Sequence, residues 1–110
     1  MRILRALPSR SIEHHGSVGF THSRLARGDV QVSRIELDPG GRIGGHPAGS
    51  RQLFYVLRGR AQVRTETETD ELGPGEAAVW EPGEWHETLS EQGVTAIVVE
   101  GDFELLVPDA

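Results

Sequence analysis

Glycine and proline interrupt this chain so often that no stretch is left for a long helix. Fourteen glycines and six prolines are spread through 110 residues. Between them lie short segments rich in Val, Ile, Leu, Thr and aromatics: residues 30–37, 52–57, 61–67, 76–80, 85–89, 94–100 and 103–107. Many short segments of strand length, spaced by turn signals, predict an all-β sandwich or barrel. The one candidate turn of helix falls near the N-terminus.

Periodicity sorts these segments. Ala61, Val63 and Thr65 alternate with Gln62, Arg64 and Glu66, the two-residue period of a half-exposed strand. The charged run at residues 65–71 reads as a solvated hairpin region. Residues 53–57 and 96–99 are apolar at every position or nearly so. Such strands need cover on both faces, by a barrel interior on one side and a second sheet or subunit on the other. A homodimer is therefore expected, which would also help a chain of this size complete its burial. Nothing splits residues 1–110 into more than one domain.

Charge and composition exclude several functions. The net charge is −6 and no basic patch appears, which argues against nucleic acid and anionic membranes as partners. With no cysteine, disulfides, thiolate metal sites and a cysteine nucleophile are out. The N-terminal MRILRALPSR is too short in its apolar run and too rich in arginine for a signal peptide. No apolar stretch is long enough to span a bilayer. A cytoplasmic protein is the expectation.

Two glycine-framed blocks carry the chemistry. The first is GGRIGGHPAGSRQLFYVLRG: Gly40, five residues, His46, then Ala48, Gln52 and Gly59. The second is GPGEAAVWEPGEWHETLS, with Gly75, Gly83, His86 and Ser90, and fifteen residues separate Gly59 from Gly75. On a strand, positions i and i+2 share a face, so His46 and residue 48 look the same way. Gln52 returns on the next run of strand, and His86 arrives from far along the chain beyond a Pro-Gly turn.

In order and spacing, the two blocks resemble the motifs of the cupin superfamily, small β-barrels that often hold a metal. The family pattern of the first block is Gly, five residues, His-x-His, three or four residues, Glu, six residues, Gly. Ala48 stands at its second His and Gln52 at its Glu. In the second block Glu81 stands at a Pro position, beside Pro82, and Ser90 at an Asn position. The resemblance implies a jelly-roll barrel of two antiparallel sheets with little or no helix. It further implies a divalent metal ion (Zn, Mn, Fe or Ni) held by His46, Gln52 and His86, and pairing into homodimers through a sheet face.

Each candidate also has a plainer role. His46 and His86 taken singly are hydrogen-bonded polar groups in a barrel mouth; together at family spacing they favour metal ligation. Gln52 is a weak ligand through its amide oxygen, or a residue that orients a substrate or a histidine. Ala48 coordinates nothing and leaves room for a water or a substrate atom. Glu84 shares a face with His86 in an extended segment, but a turn residue in PGEWH is favoured; Glu87 points away. His14, His15 and His22 read as loop or surface residues. Trp80 and Trp85 serve either as core anchors or as the lining of the pocket mouth. Arg42 and Arg51 could hold a carboxylate bidentately, though paired surface arginines are commoner. Ser50 lacks the partners of a hydrolytic triad, and GGRIGG lacks the Lys-Ser/Thr of a phosphate loop. Two functions follow from this set. One is a metal-dependent enzyme of dioxygenase, isomerase, decarboxylase or lyase type acting on a small polar molecule. The other is a non-catalytic module that binds or senses a small molecule, with or without a metal.

Overall fold

The turn punctuation becomes strand boundaries almost throughout. A computed structural model of the chain describes residues 1–6, 9–18, 20–23 and 25–107. Its strands are β1 (Arg2–Leu4), β2 (Arg10–Ile12), β3 (Phe20–His22), β4 (Ala26–Leu37), β5 (Gly41–Pro47), β6 (Arg51–Gly59), β7 (Ala61–Arg64), β8 (Thr69–Leu72), β9 (Ala77–Trp80), β10 (Trp85–Ser90) and β11 (Val94–Leu105). Among the described residues the only helical element is a 3-10 turn at His14–Gly16. All pairings are antiparallel. A five-stranded sheet in the order β1-β9-β6-β11-β4 faces a four-stranded sheet in the order β5-β10-β7-β8, and β2 and β3 form a separate two-stranded ribbon. This is a jelly-roll barrel of two antiparallel sheets. Among the described residues no helix is long and apolar enough to cross a membrane.

The doubly apolar strands do pack on both faces. Phe54 and Val56 of β6 join Ala78 and Trp80 of β9 in a cluster between the sheets, closed from the other sheet by Ala61, Val63 and Leu72. The alternate residues, Leu53 of β6 with Ala77 and Val79 of β9, pack on the outer face with Leu4, Phe103 and Val107. Much of that outer face is thus covered by the chain's own ends, while Val30 and Val32 on β4 remain exposed.

Strands β1, β2 and β3 lie outside the segments read in the sequence and β4 begins before its segment; three further departures have a local reason. Residues 94–100 and 103–107 belong largely to one strand, because β11 runs on through Gly101. There φ is +139°, and a Cβ would meet the Asp29 carbonyl oxygen at 2.5 Å, so only glycine lets the strand continue against β4. The glycine-rich stretch before His46, which lies outside the segments read as strands, is strand β5. Its Gly45 lies under the Trp85 ring, which a Cβ would strike. Part of the charged run is strand β8. It follows a turn in which the Thr65 hydroxyl accepts the N–H groups of Thr67 and Glu68, at 3.3 and 3.1 Å.

Candidate metal centre

The register of two strands brings the two histidines together. His46 on β5 stands directly opposite His86 on β10, with ring centroids 4.7 Å apart and planes at 53°. β5 is an edge strand of its sheet, so His46 is exposed whereas His86 is buried. Each ring is fixed through the same atom. His46 Nδ1 donates to the Gly44 carbonyl at 2.7 Å, and His86 Nδ1 donates to the Glu84 carbonyl at 3.1 Å. A carbonyl can only accept, so the proton sits on Nδ1 and the Nε2 lone pair is left for another partner. Burial pushes the His86 pKa below its usual value and neighbouring His46 pushes the same way, against the opposing pull of the Glu84 carbonyl and carboxylate. His86 is therefore neutral at pH 7, the form a metal requires.

The rest of the predicted set is placed differently. Gln52 on β6 lies between Trp80 on β9 and Glu100 on β11, directly opposite each. It shares its face with Phe54 and Val56, which pack between the sheets. Its amide Nε2 donates to Glu100 Oε2 at 3.3 Å. Ala48 is buried and packs in the same cluster as Trp80. The Trp80 ring lies on His86, with centroids 4.2 Å apart and planes at 19°, and meets Phe54 edge-on at 6.0 Å. Trp80 is thus a core anchor whose ring packs on His86. Its indole N–H is buried without an acceptor, a state that costs about 1–3 kcal/mol unless an oxygen reaches it.

Other candidates are engaged elsewhere. Glu84 accepts the Met1 amine at 2.6 Å and the Glu81 N–H at 3.1 Å, as a turn residue would. Glu87 bonds Arg64 Nε at 2.6 Å on the outer side of β10, where Arg64 also lies over the Trp85 ring at 5.9 Å. Arg51 bonds Glu81 Oε2 and the Phe103 carbonyl, so it is not open to hold a ligand carboxylate. Arg42, His14, His15 and His22 are exposed. A cleft of about 160 Å³ at the far end of β10 is lined by Arg60, Gln62, Glu71 and Ser90 among others, with no histidine. Among the described residues no three His, Cys, Asp or Glu side chains gather into a metal-holding group.

Against known families, residues 33–100 match the cupin domain. The chain belongs to the cupin superfamily. This cupin matches no curated protein, but many solved structures share its fold. A cupin-2 domain containing protein from Shewanella frigidimarina is 19% identical, with a TM-score of 0.61 over 69% of this chain and 74% of that one. A conserved protein of unknown function from Streptococcus pyogenes is 24% identical, with a TM-score of 0.61 over 76% and 69%. A protein of unknown function from Rhizobium leguminosarum is 28% identical, with a TM-score of 0.61 over 64% and 68%.

One inward carboxylate beside these candidates was missed in the sequence. Glu100 shares the inward face of β11 with Ala96 and Val98, both packed on the inter-sheet cluster. The available signal was a carboxylate at the inward phase of an otherwise apolar strand.

The donor set suits a divalent ion that accepts imidazole. It comprises two imidazoles on facing strands, each with its Nε2 atom free. The orphaned Trp80 N–H beside His86 asks for an oxygen acceptor in the same region.

Proposed function

We propose that this cupin binds a divalent metal ion through His46 and His86, with Gln52 as a third and weaker donor, and presents it to a small polar molecule. One observation carries the proposal. Both imidazoles are anchored by Nδ1 to a carbonyl two residues back and leave Nε2 free, on rings whose centroids lie 4.7 Å apart. That is the outer-shell arrangement by which proteins orient histidine ligands. A bound ion would supply Lewis acidity and an open coordination position. Turnover of the dioxygenase, isomerase, decarboxylase or lyase type also needs a group to move protons, and Glu84 and Glu87 are both held in ion pairs. Ligand binding is accordingly the role that the geometry supports first.

The test is metal content of protein purified without a histidine tag, with Zn²⁺ affinity by chelator competition. The native chain should carry near-stoichiometric metal and His46→Ala should carry none. Metal-free native protein whose Zn²⁺ affinity equals that of His46→Ala would sink the proposal. A metal-free ligand-binding module would then take its place, a second reading already supported by the Trp80 ring packed against His86.

The same proposal includes a homodimer formed on the outer face of the five-stranded sheet. There Val32 on edge strand β4 is 60% exposed and Val30 39%, an apolar strip that a second copy would cover. Sedimentation velocity at micromolar concentration should show the dimer, and Val32→Glu should give monomer. A native chain that sediments as a monomer removes this part.

A further inference from the structure

Gln52 has two chemically different ends, and one of them is already committed. Its amide nitrogen goes to Glu100 at 3.3 Å. A carboxylate can only accept, so this contact settles which end of the amide is nitrogen. The two ends of a planar amide branch apart from one carbon. With the nitrogen turned toward β11, the oxygen is turned toward the opposite flank of β6. The strand on that flank is β9, and its residue in register with Gln52 is Trp80, whose ring lies on His86.

Charge points the same way. Imidazole and amide ligands bring no negative charge, so they leave a divalent ion uncompensated. The carboxylates around the site are otherwise spoken for: Glu84 by the Met1 amine, Glu87 by Arg64 and Glu81 by Arg51. Glu100 is half-buried on the inward face, and no ion pair with a cation forms on it among the described residues. With His46 and His86 it does not form a three-residue metal group among the described residues; the contact it does make is with the Gln52 amide nitrogen.

We propose that Glu100 is a positioning residue of the metal site: by holding the Gln52 nitrogen it presents the Gln52 oxygen as a ligand and, through that hydrogen bond, makes the oxygen a stronger donor. The inference rests on the metal-binding proposal and deepens it. A carboxylate that accepts the far proton of a ligand makes that ligand a better donor, and losing such a partner typically weakens metal binding about 10- to 100-fold. Glu100→Gln should do so, because an amide at 100 carries no charge and no longer dictates which end of Gln52 faces the histidines.

The experiment is a double-mutant cycle read by Zn²⁺ chelator competition. It uses the native chain, Glu100→Gln, Gln52→Leu and the double variant, with unfolding stability measured on each. Glu100→Gln should weaken Zn²⁺ binding about 10- to 100-fold, yet change nothing further once Gln52 is Leu. In ¹⁵N spectra the Gln52 side-chain amide should shift on adding Zn²⁺ in the native chain and not in Glu100→Gln. If Glu100→Gln binds within about twofold of native while His46→Ala loses the ion, the inference falls and the metal site stands. Additive losses in the cycle also overturn it, because Glu100 would then act without Gln52. A change confined to stability would make Glu100 structural. If the native chain binds no Zn²⁺, the inference and the metal proposal fall together.

Discussion

The two ends of the barrel interior are built from the same strands and do different work. At one end Val56, Val63, Leu72 and Ala96 close over one another with essentially no accessible surface. At the other, β6 and β11 present Gln52 and Glu100, hydrogen-bonded to each other. Beside them β10 presents His86 against Trp80. Only four residues, roughly 13 Å of strand, separate Val56 from Gln52 and Ala96 from Glu100. A two-residue period keeps the inward phase over that distance and exchanges packing for polar chemistry without a change of scaffold. Stability and the site should therefore respond to different substitutions.

The largest expected effect is at the closed end. Leu72→Ala should cost about 2–5 kcal/mol in denaturant unfolding, while Zn²⁺ affinity of the folded protein stays native. A parallel loss of affinity would show that the two ends are one cooperative unit. Next comes Gly45→Ala, whose new Cβ runs into the Trp85 ring. Overpacking there should cost about 1–3 kcal/mol. Trp85 stands opposite Pro47, next to the His86–His46 pair, so its fluorescence should shift and Zn²⁺ affinity should fall. Unchanged fluorescence and affinity would show that the site is insulated from its own outer wall.

The smallest effect is in pH. The folded His86 imidazole takes up a proton less readily than the unfolded one, whose pKa is near 6.5. Below that value the unfolded chain binds the extra proton first, so stability of the metal-free protein falls as pH drops through 6.5 toward the lower folded pKa. Above it the contribution vanishes. Unfolding free energies measured between about pH 7.5 and 5.5 should show this slope in the native chain and lose part of it in His86→Phe. An equal slope in both would assign it to other groups.

The alternation of residues 61–66 and the doubly apolar runs made the fold legible, because strand period is a local property. His46 and His86 were legible through block spacing, which carries strand register with it. Gln52 was legible as an inward polar residue but not as the partner of Glu100. That contact joins residues 48 apart and depends on how β6 and β11 slide against each other. Trp80 had two roles open in the sequence, core anchor or lining of the pocket mouth; the fold buries it in the core with its ring on His86. Strand β5 was obscured by its own glycines, of which Gly45 is needed where the Trp85 ring lies against the chain.

The pairing of β4 with β11 sets Ala26 beside Leu105, and that of β5 with β10 sets His46 beside His86. Neither contact exists until a long stretch of chain has closed on itself. A barrel wired in this way belongs among the slow folders, on the scale of roughly milliseconds to seconds. Its two imidazoles meet only when the sheets have already found their register. Under the proposed metal reading an ion would arrive too late to nucleate the structure and would act instead on its lifetime, by slowing unfolding, a distinction that refolding and unfolding rates with and without Zn²⁺ would read directly.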